Sequence, residues 1–346
     1  MPSQLTISEK RTAHDASQQP RTSRVWLRLL TGIAAIAALI GLRVVADPSW
    51  TEWLPNAGRD FFTLSVSVMV ESTPFVFLGI GISILVQVWL PDRVWGWLPR
   101  NPVARRMVLS LLGVVFPVCE CGNVPMARGL MMRGLGVGEA LTFLMAAPIL
   151  NPVTIITTYQ AFGFNDGILL GRIVGAFVIA NLIGWIFSRH PDPNRLLTPT
   201  FRAACKDDHS ESQGRWQRSA AAFTTETAAM IPALVAGSFL AGAIQVGVPR
   251  DWLVTVGGNP VVSVGVLMVL AFVVSVCSNV DAFFILSLSA AFAPGAVVAF
   301  LIFGAMIDIK MLALLRTTFT TRTLGLLTAL VGLSTLVIGL GLNLVA

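Results

Sequence analysis

The chain has 346 residues, of which 55% are hydrophobic and 12% charged, and its mean hydropathy is +0.76. That is more apolar surface than a water-soluble domain can bury, so a soluble enzyme or a nucleic-acid-binding domain is excluded and an integral membrane protein is expected. The net charge of +6 and pI near 9.8 point the same way, because the basic residues flank apolar runs as orientation signals and form no continuous patch.

In chain order, residues 1–23 are polar and read as a disordered cytoplasmic tail. A hydrocarbon core about 30 Å thick asks for about 20 apolar residues per helix. Runs at 25–46, 61–90, 139–163, 166–188, 219–248, 294–314 and 323–346 meet that length. The first resembles a signal peptide, with Val44-Val45-Ala46 as a cleavage site, but it is too long and contains Arg43, which favours a retained helix. Glu71 with Pro74, and Glu226 with Pro232, interrupt two of the runs. Residues 105–134 and 261–293 differ from the others: each has a short apolar stretch, a polar interruption at a cysteine and a second short stretch. Residues 189–218, rich in Pro, Ser and charge, read as a soluble linker between a first membrane half, 24–188, and a second, 219–346.

At an offset of 158 the chain aligns with itself without a gap. Pro74 falls on Pro232, Gly79 on Gly237, Gln87 on Gln245, Asn101-Pro102-Val103 on Asn259-Pro260-Val261, and Val118-Cys119 on Val276-Cys277. Fourteen of the 46 positions from 74 to 119 are identical, and they include Pro, Asn, Gln and Cys as well as common apolar types, which implies a duplicated unit. Placing the basic tail, the 91–106 loop, the linker and the Arg316–Arg322 turn in the cytoplasm requires 105–134 and 261–293 to enter and return as hairpins from opposite faces. The fold class expected is therefore an all-α polytopic membrane protein with internally duplicated, inverted helical repeats and broken or re-entrant cysteine-bearing hairpins.

Irregular backbone at membrane depth is tolerated only where protein or a polar cavity satisfies it. The leg 105–118 spans roughly 21 Å if helical, which puts Cys119 beyond the midplane, and the repeat brings Cys277 in from the other side. The two tips are expected to meet and deliver Cys119, Glu120, Cys121 and Asn123 from the first half and Cys277, Asn279 and Asp281 from the second. Thiolates suit soft ions, so converging cysteines fit a trivalent metalloid or a cuprous ion. Glu71, Glu120 and Asp281 are candidates for a coupling proton. Asn151-Pro152 and Asp308, beside Lys310, break the helices after the hairpins and add Asn151 and Asp308 to the pathway, unless each break is only a packed kink with an internal charge pair. Arg172 is a counter-ion for Glu71 or Glu120.

The three histidines, His14, His190 and His209, lie in the tail and the linker, so no His-based metal site or relay is expected in the membrane. The chain has no P-loop for ATP hydrolysis. No catalytic residues, resident metal, cofactor or nucleic-acid partner are assigned; the partners expected are the lipid bilayer and a small-molecule or ion substrate. The competing reading is a membrane thiol-disulfide oxidoreductase that cycles Cys119 and Cys121.

The stretch PVCECGNVPMARGL (117–130), then FLMAAPILNPVTI, SVCSNVDAFF and GAMIDIK, resembles the bacterial predicted-permease family that includes the ArsP-like organoarsenical exporters. The likeness covers most of residues 61–345. It implies a multi-pass plasma-membrane permease with motif positions at Cys119, Cys121, Gly122, Asn123, Pro125, Asn151, Pro152, Cys277, Asp281 and Asp308. For the arsenic-exporting members it implies a trivalent organoarsenical substrate.

Overall fold

The computed structural model describes residues 56–91, 93, 98–116, 118–164, 167–207, 214–247, 260–289 and 291–345. The polar tail and the apolar run at 25–46 lie outside these residues, as do nearly all of the 249–260 loop and the middle of the linker. The first half contains α1 (Asn56–Ile84), which runs on into a π-helical turn at Leu85–Trp89, then α2 (Pro102–Ser110), α3 (Leu112–Val115), α4 (Glu120–Met132), α5 (Val137–Ala146), α6 (Pro152–Phe162) and α7 (Ile168–Ser188). The linker forms α8 (Pro199–Asp207). The second half contains α9 (Arg215–Gly247), α10 (Pro260–Val274), α11 (Asp281–Ser289), α12 (Pro294–Met306), α13 (Ile309–Leu315) and α14 (Thr321–Val345).

The described residues contain five segments long and apolar enough to cross a bilayer, Gly58–Trp89, Ile168–Ser188, Arg215–Val246, Pro294–Leu315 and Thr321–Leu344. Exposed Leu78, Leu85, Val178, Leu182, Leu333 and Val337 give Gly58–Trp89, Ile168–Ser188 and Thr321–Leu344 an apolar outer surface. The protein is an all-α polytopic membrane protein. The expected crossing at 139–163 is two short helices, α5 and α6, separated at 147–151. Pro152 has no N–H to continue a helix, and the Asn151 side chain accepts from Val153 N at 2.9 Å, so the chain restarts there with a capped N-terminus. Asp308 does the same for α13 by accepting from Met311 N, and Asn101 for α2 by accepting from Val103 N.

The long proline-bearing helices α1 and α9 lie against each other. α1 also packs on α4, and α9 on α13. Glycines explain how closely these pairs approach: a Cβ on Gly79 would lie 2.1 Å from the carbonyl oxygen of Gly122 on α4, and one on Gly237 would lie 2.9 Å from Ala313 Cβ on α13. Gly79→Ala is therefore expected to destabilise the protein by about 1–3 kcal/mol, while Gly81→Ala, with nothing within 4 Å of its added Cβ, leaves it unchanged. Thermal unfolding of the two variants in detergent checks this contrast. The halves are joined a second time by crossed contacts, α6 against α11 and α13 against α4.

The linker is more than a tether. Leu196, Leu197 and Phe201 are buried, Thr198 N donates to Thr318 O at 2.9 Å, and Thr320 N donates to Leu196 O at 3.0 Å. Its polar composition hides an apolar trio that docks Pro193–Asp207 onto the turn before α14.

Candidate functional site

The first cysteine break lies between α3 and α4. Cys119 is extended, and α4 starts at Glu120. The second lies between α10 and α11, where Ser275, with φ of 49°, is the one non-glycine residue in the left-handed region among the described residues. A β-substituted residue held there stores of order 1–3 kcal/mol, strain that is commonly kept at functional sites. From this turn the chain delivers Cys277, Ser278 and Asn279 ahead of Asp281, the first residue of α11.

The two breaks meet. The sulfur atoms of Cys119 and Cys277 and a carboxylate oxygen of Glu120 all lie within 4.8 Å of one another, and all three residues are buried. Cys121 is also fully buried and neighbours Cys119; neither is in a disulfide. Glu120 connects the halves. Its Oε1 accepts from Lys310 Nζ at 3.1 Å, and its Oε2 accepts from Ser278 Oγ at 3.1 Å, with Cys277 Sγ 3.7 Å away. Lys310 comes from α13, whose backbone is held close to α9 at Gly237, while Glu120 comes from α4, held close to α1 at Gly79 and Gly122. Each long proline-bearing helix therefore positions one partner of this ion pair.

A second buried ion pair lies alongside. Arg172 on α7 forks onto Asp281, with Nη1 to Oδ1 at 3.0 Å and Nη2 to Oδ2 at 2.6 Å. It also donates to Thr158 Oγ1 at 2.7 Å and to Ser278 O at 3.4 Å. Ser278 thus touches both pairs. Arg172 was expected to neutralise Glu71 or Glu120; its partner is Asp281, because α7 faces α11 through α6 and α12, whereas Glu120 faces α13. Asn279 accepts from Thr154 Oγ1 on α6 at 3.1 Å. Asn123 and Asn151 both direct Nδ2 at the carbonyl of Val118, at 3.4 Å each, and so hold the backbone just before Cys119.

Glu71 is apart from this cluster, on the exposed face of α1. The other residue singled out in the proline-bearing helices, Glu226, is buried and bonded to Arg128 Nε at 2.8 Å. Arg128 also donates to Thr317 O and Thr318 Oγ1 and lies 4.4 Å over the ring of Phe201, so this pair ties α4 to α9 and to the docked linker. Sequence reasoning did not single out Arg128, Thr158 or Ser278. A single basic residue in the stretch 117–130 is the signal that would have found the first.

An all-α membrane protein that gathers thiols and paired charges at helix breaks in its interior has the build of a permease. The family model described as "Predicted permease" matches residues 58–344, and the chain belongs to that family. A Streptococcus mutans protein, named as a subunit of a two-component membrane permease complex, is 32% identical over 293 residues, covering 82% of this chain and 94% of its own length. UPF0718 protein YcgR of Bacillus subtilis is 33% identical over 261 residues, covering 75% of this chain and 89% of its own. UPF0718 protein YraQ of Escherichia coli is 27% identical, covering 60% of this chain and 66% of its own. No solved structure gives a significant match.

Proposed function

We propose that this permease is a secondary transporter of a small thiol-reactive solute, a trivalent metalloid or organoarsenical, taken at the point where the two cysteine breaks meet. The observation that carries the reading is the approach of Cys119 Sγ, Cys277 Sγ and a Glu120 oxygen to within 4.8 Å, with donors drawn from both halves of the chain. Two sulfurs and a carboxylate form a soft donor set with one hard oxygen, suited to a thiophilic centre and poorly suited to an alkali or alkaline-earth ion. Cys121 adds a third sulfur nearby. Glu120 can exchange its contact with Lys310 for contact with the incoming centre, so binding would loosen an ion pair that bridges α4 and α13. A site whose occupancy alters a contact between two halves has the logic of alternating access.

The order of elements supports the duplicated reading. In each half a long proline-bearing helix is followed by an Asn-Pro helix, a cysteine break, a short helix, a second helix ending at an Asn or Asp cap, another short helix and a long closing helix. We place the protein in the plasma membrane with its N-terminus and linker cytoplasmic, from the distribution of basic residues. The oxidoreductase alternative finds no support in the description of the family.

The test is flux of phenylarsine oxide into proteoliposomes holding the full-length protein. Wild type is expected to transport it, and Cys119→Ser and Cys277→Ser to lose that transport while eluting as folded protein. Normal transport by both variants would remove the thiols from the mechanism.

A further inference from the structure

Buried Arg106 on α2 and Glu139 on α5 are engaged away from the breaks, Arg106 donating to Ser188 Oγ and Glu139 paired with Arg105. Around the breaks, three further cations, Arg128, Arg172 and Lys310, face four further buried carboxylates, Glu120, Glu226, Asp281 and Asp308. Each cation is in an ion pair with one acid: Arg128 with Glu226, Arg172 with Asp281, and Lys310 with Glu120. Asp308 is left over. The sequence leaves open a pathway role for Asp308 or an internal pair with Lys310; the Lys310 ammonium turns to Glu120 on the other half of the chain.

Asp308 has no exposed surface. One oxygen caps α13 by accepting from Met311 N, and the other, Oδ2, has no hydrogen-bond partner among the described residues. It lies at the break between α12 and α13, just beyond the last helical residue, Met306, where carbonyl groups of the helix end are released. The charged groups acting on it are Lys310 on α13 and Glu120 on α4; the acid that α9 contributes, Glu226, is bonded to Arg128, and Asp281 on α11 is bonded to Arg172. A buried carboxylate that shares its nearest cation with a second acid, and is not bonded to it, is unfavourable in a protein interior, and it is relieved by a proton or a bound cation. The repeat adds an independent observation. Asn151, the corresponding cap in the first half, makes the same type of bond with a neutral side chain, so capping alone does not require an acid at position 308.

We propose that Asp308 is an exchangeable monovalent-cation site, for a proton or a sodium ion, and that this cation drives the permease. The proposal rests on the transport reading above and adds to it a hard-ligand site separate from the thiols. Of the coupling candidates named from sequence, Glu71 is on the exposed face of α1 and Glu120 and Asp281 are engaged by cations, whereas Asp308 is bonded to no cation among the described residues and its second oxygen has no partner there. Loading it would remove the surplus negative charge beside Lys310, and unloading would return that charge and draw Lys310 away from Glu120. Cation occupancy would thus act on the ion pair that bridges the halves.

The test needs no knowledge of the substrate. Full-length protein in native membranes is treated with dicyclohexylcarbodiimide, which adds to protonated carboxyl groups in apolar surroundings, and the modified residues are read by mass spectrometry. Asp308 is expected to be modified, and less so as pH rises. Added sodium suppresses the reaction further if sodium is the ligand and leaves it unchanged if the ligand is a proton. An unmodified Asp308, or modification insensitive to both pH and sodium, would overturn the proposal. In a second arm, Asp308→Asn, which keeps the cap as Asn151 does, is expected to elute as folded protein and to lose accumulation of phenylarsine oxide driven by an imposed gradient. Gradient-driven accumulation equal to wild type would also overturn it. If wild type moves no arsenical, the substrate assignment fails, and the labelling arm still decides the role of Asp308.

Discussion

Lys310→Met is expected to destabilise the folded protein by about 3–5 kcal/mol, because it leaves Glu120 charged and buried with Ser278 and Cys277 as its side-chain hydrogen-bond partners among the described residues. Glu120→Gln should also destabilise, since it leaves the ammonium with Asp308 as its remaining acidic neighbour. The double variant Glu120→Gln/Lys310→Met removes both charges and should recover most of the loss, giving a coupling energy well above the scatter of independent sites. Thermal or denaturant unfolding in a single detergent measures all three. Additive losses would show that the two side chains do not depend on one another in the folded protein.

The second large effect is expected at Arg172. Its fork onto Asp281 is bidentate, and its other donors reach Thr158 and the carbonyl of Ser278. Arg172→Met should destabilise by about 3–5 kcal/mol through the stranded Asp281 carboxylate. Arg172→Lys keeps the charge but cannot reproduce the planar fork, so it should restore only part of that loss. Asp281→Asn in the Arg172→Met background should be more stable than Arg172→Met alone, and unfolding of the three variants tests that order. A lysine variant equal to wild type would mean that charge alone, without fork geometry, holds α7 to the second break.

Much of this architecture is legible in local sequence because helix starts and stops are local events. Asn101-Pro102, Asn151-Pro152 and Asp308 announce their caps through residues two or three positions away. The cysteine breaks are visible because Gly, Pro and polar groups interrupt apolar runs. Pairing of charges is not local. Arg128 and Glu226 are 98 residues apart, Arg172 and Asp281 are 109 apart, and Glu120 and Lys310 are 190 apart. Nothing in composition decides which cation each acid meets, and Lys310, two positions from Asp308, pairs with an acid on the other half. The docked linker was obscured for a different reason: three buried apolar residues, Leu196, Leu197 and Phe201, fix a segment whose average character is polar. Glu71 had the sequence appearance of an internal acid, yet the rotation of α1 about its axis, set by packing on α4 and α9, turns it outward.

The most direct measurement concerns the meeting of the two breaks. In a variant carrying Cys121→Ala and Cys205→Ala, only Cys119 and Cys277 remain, and dibromobimane, which fluoresces once it has alkylated two thiols, reports on their proximity in the membrane. The account predicts a fluorescent, intramolecular link between the peptides containing Cys119 and Cys277, prevented by prior phenylarsine oxide. Single alkylation of each cysteine without a link would contradict it.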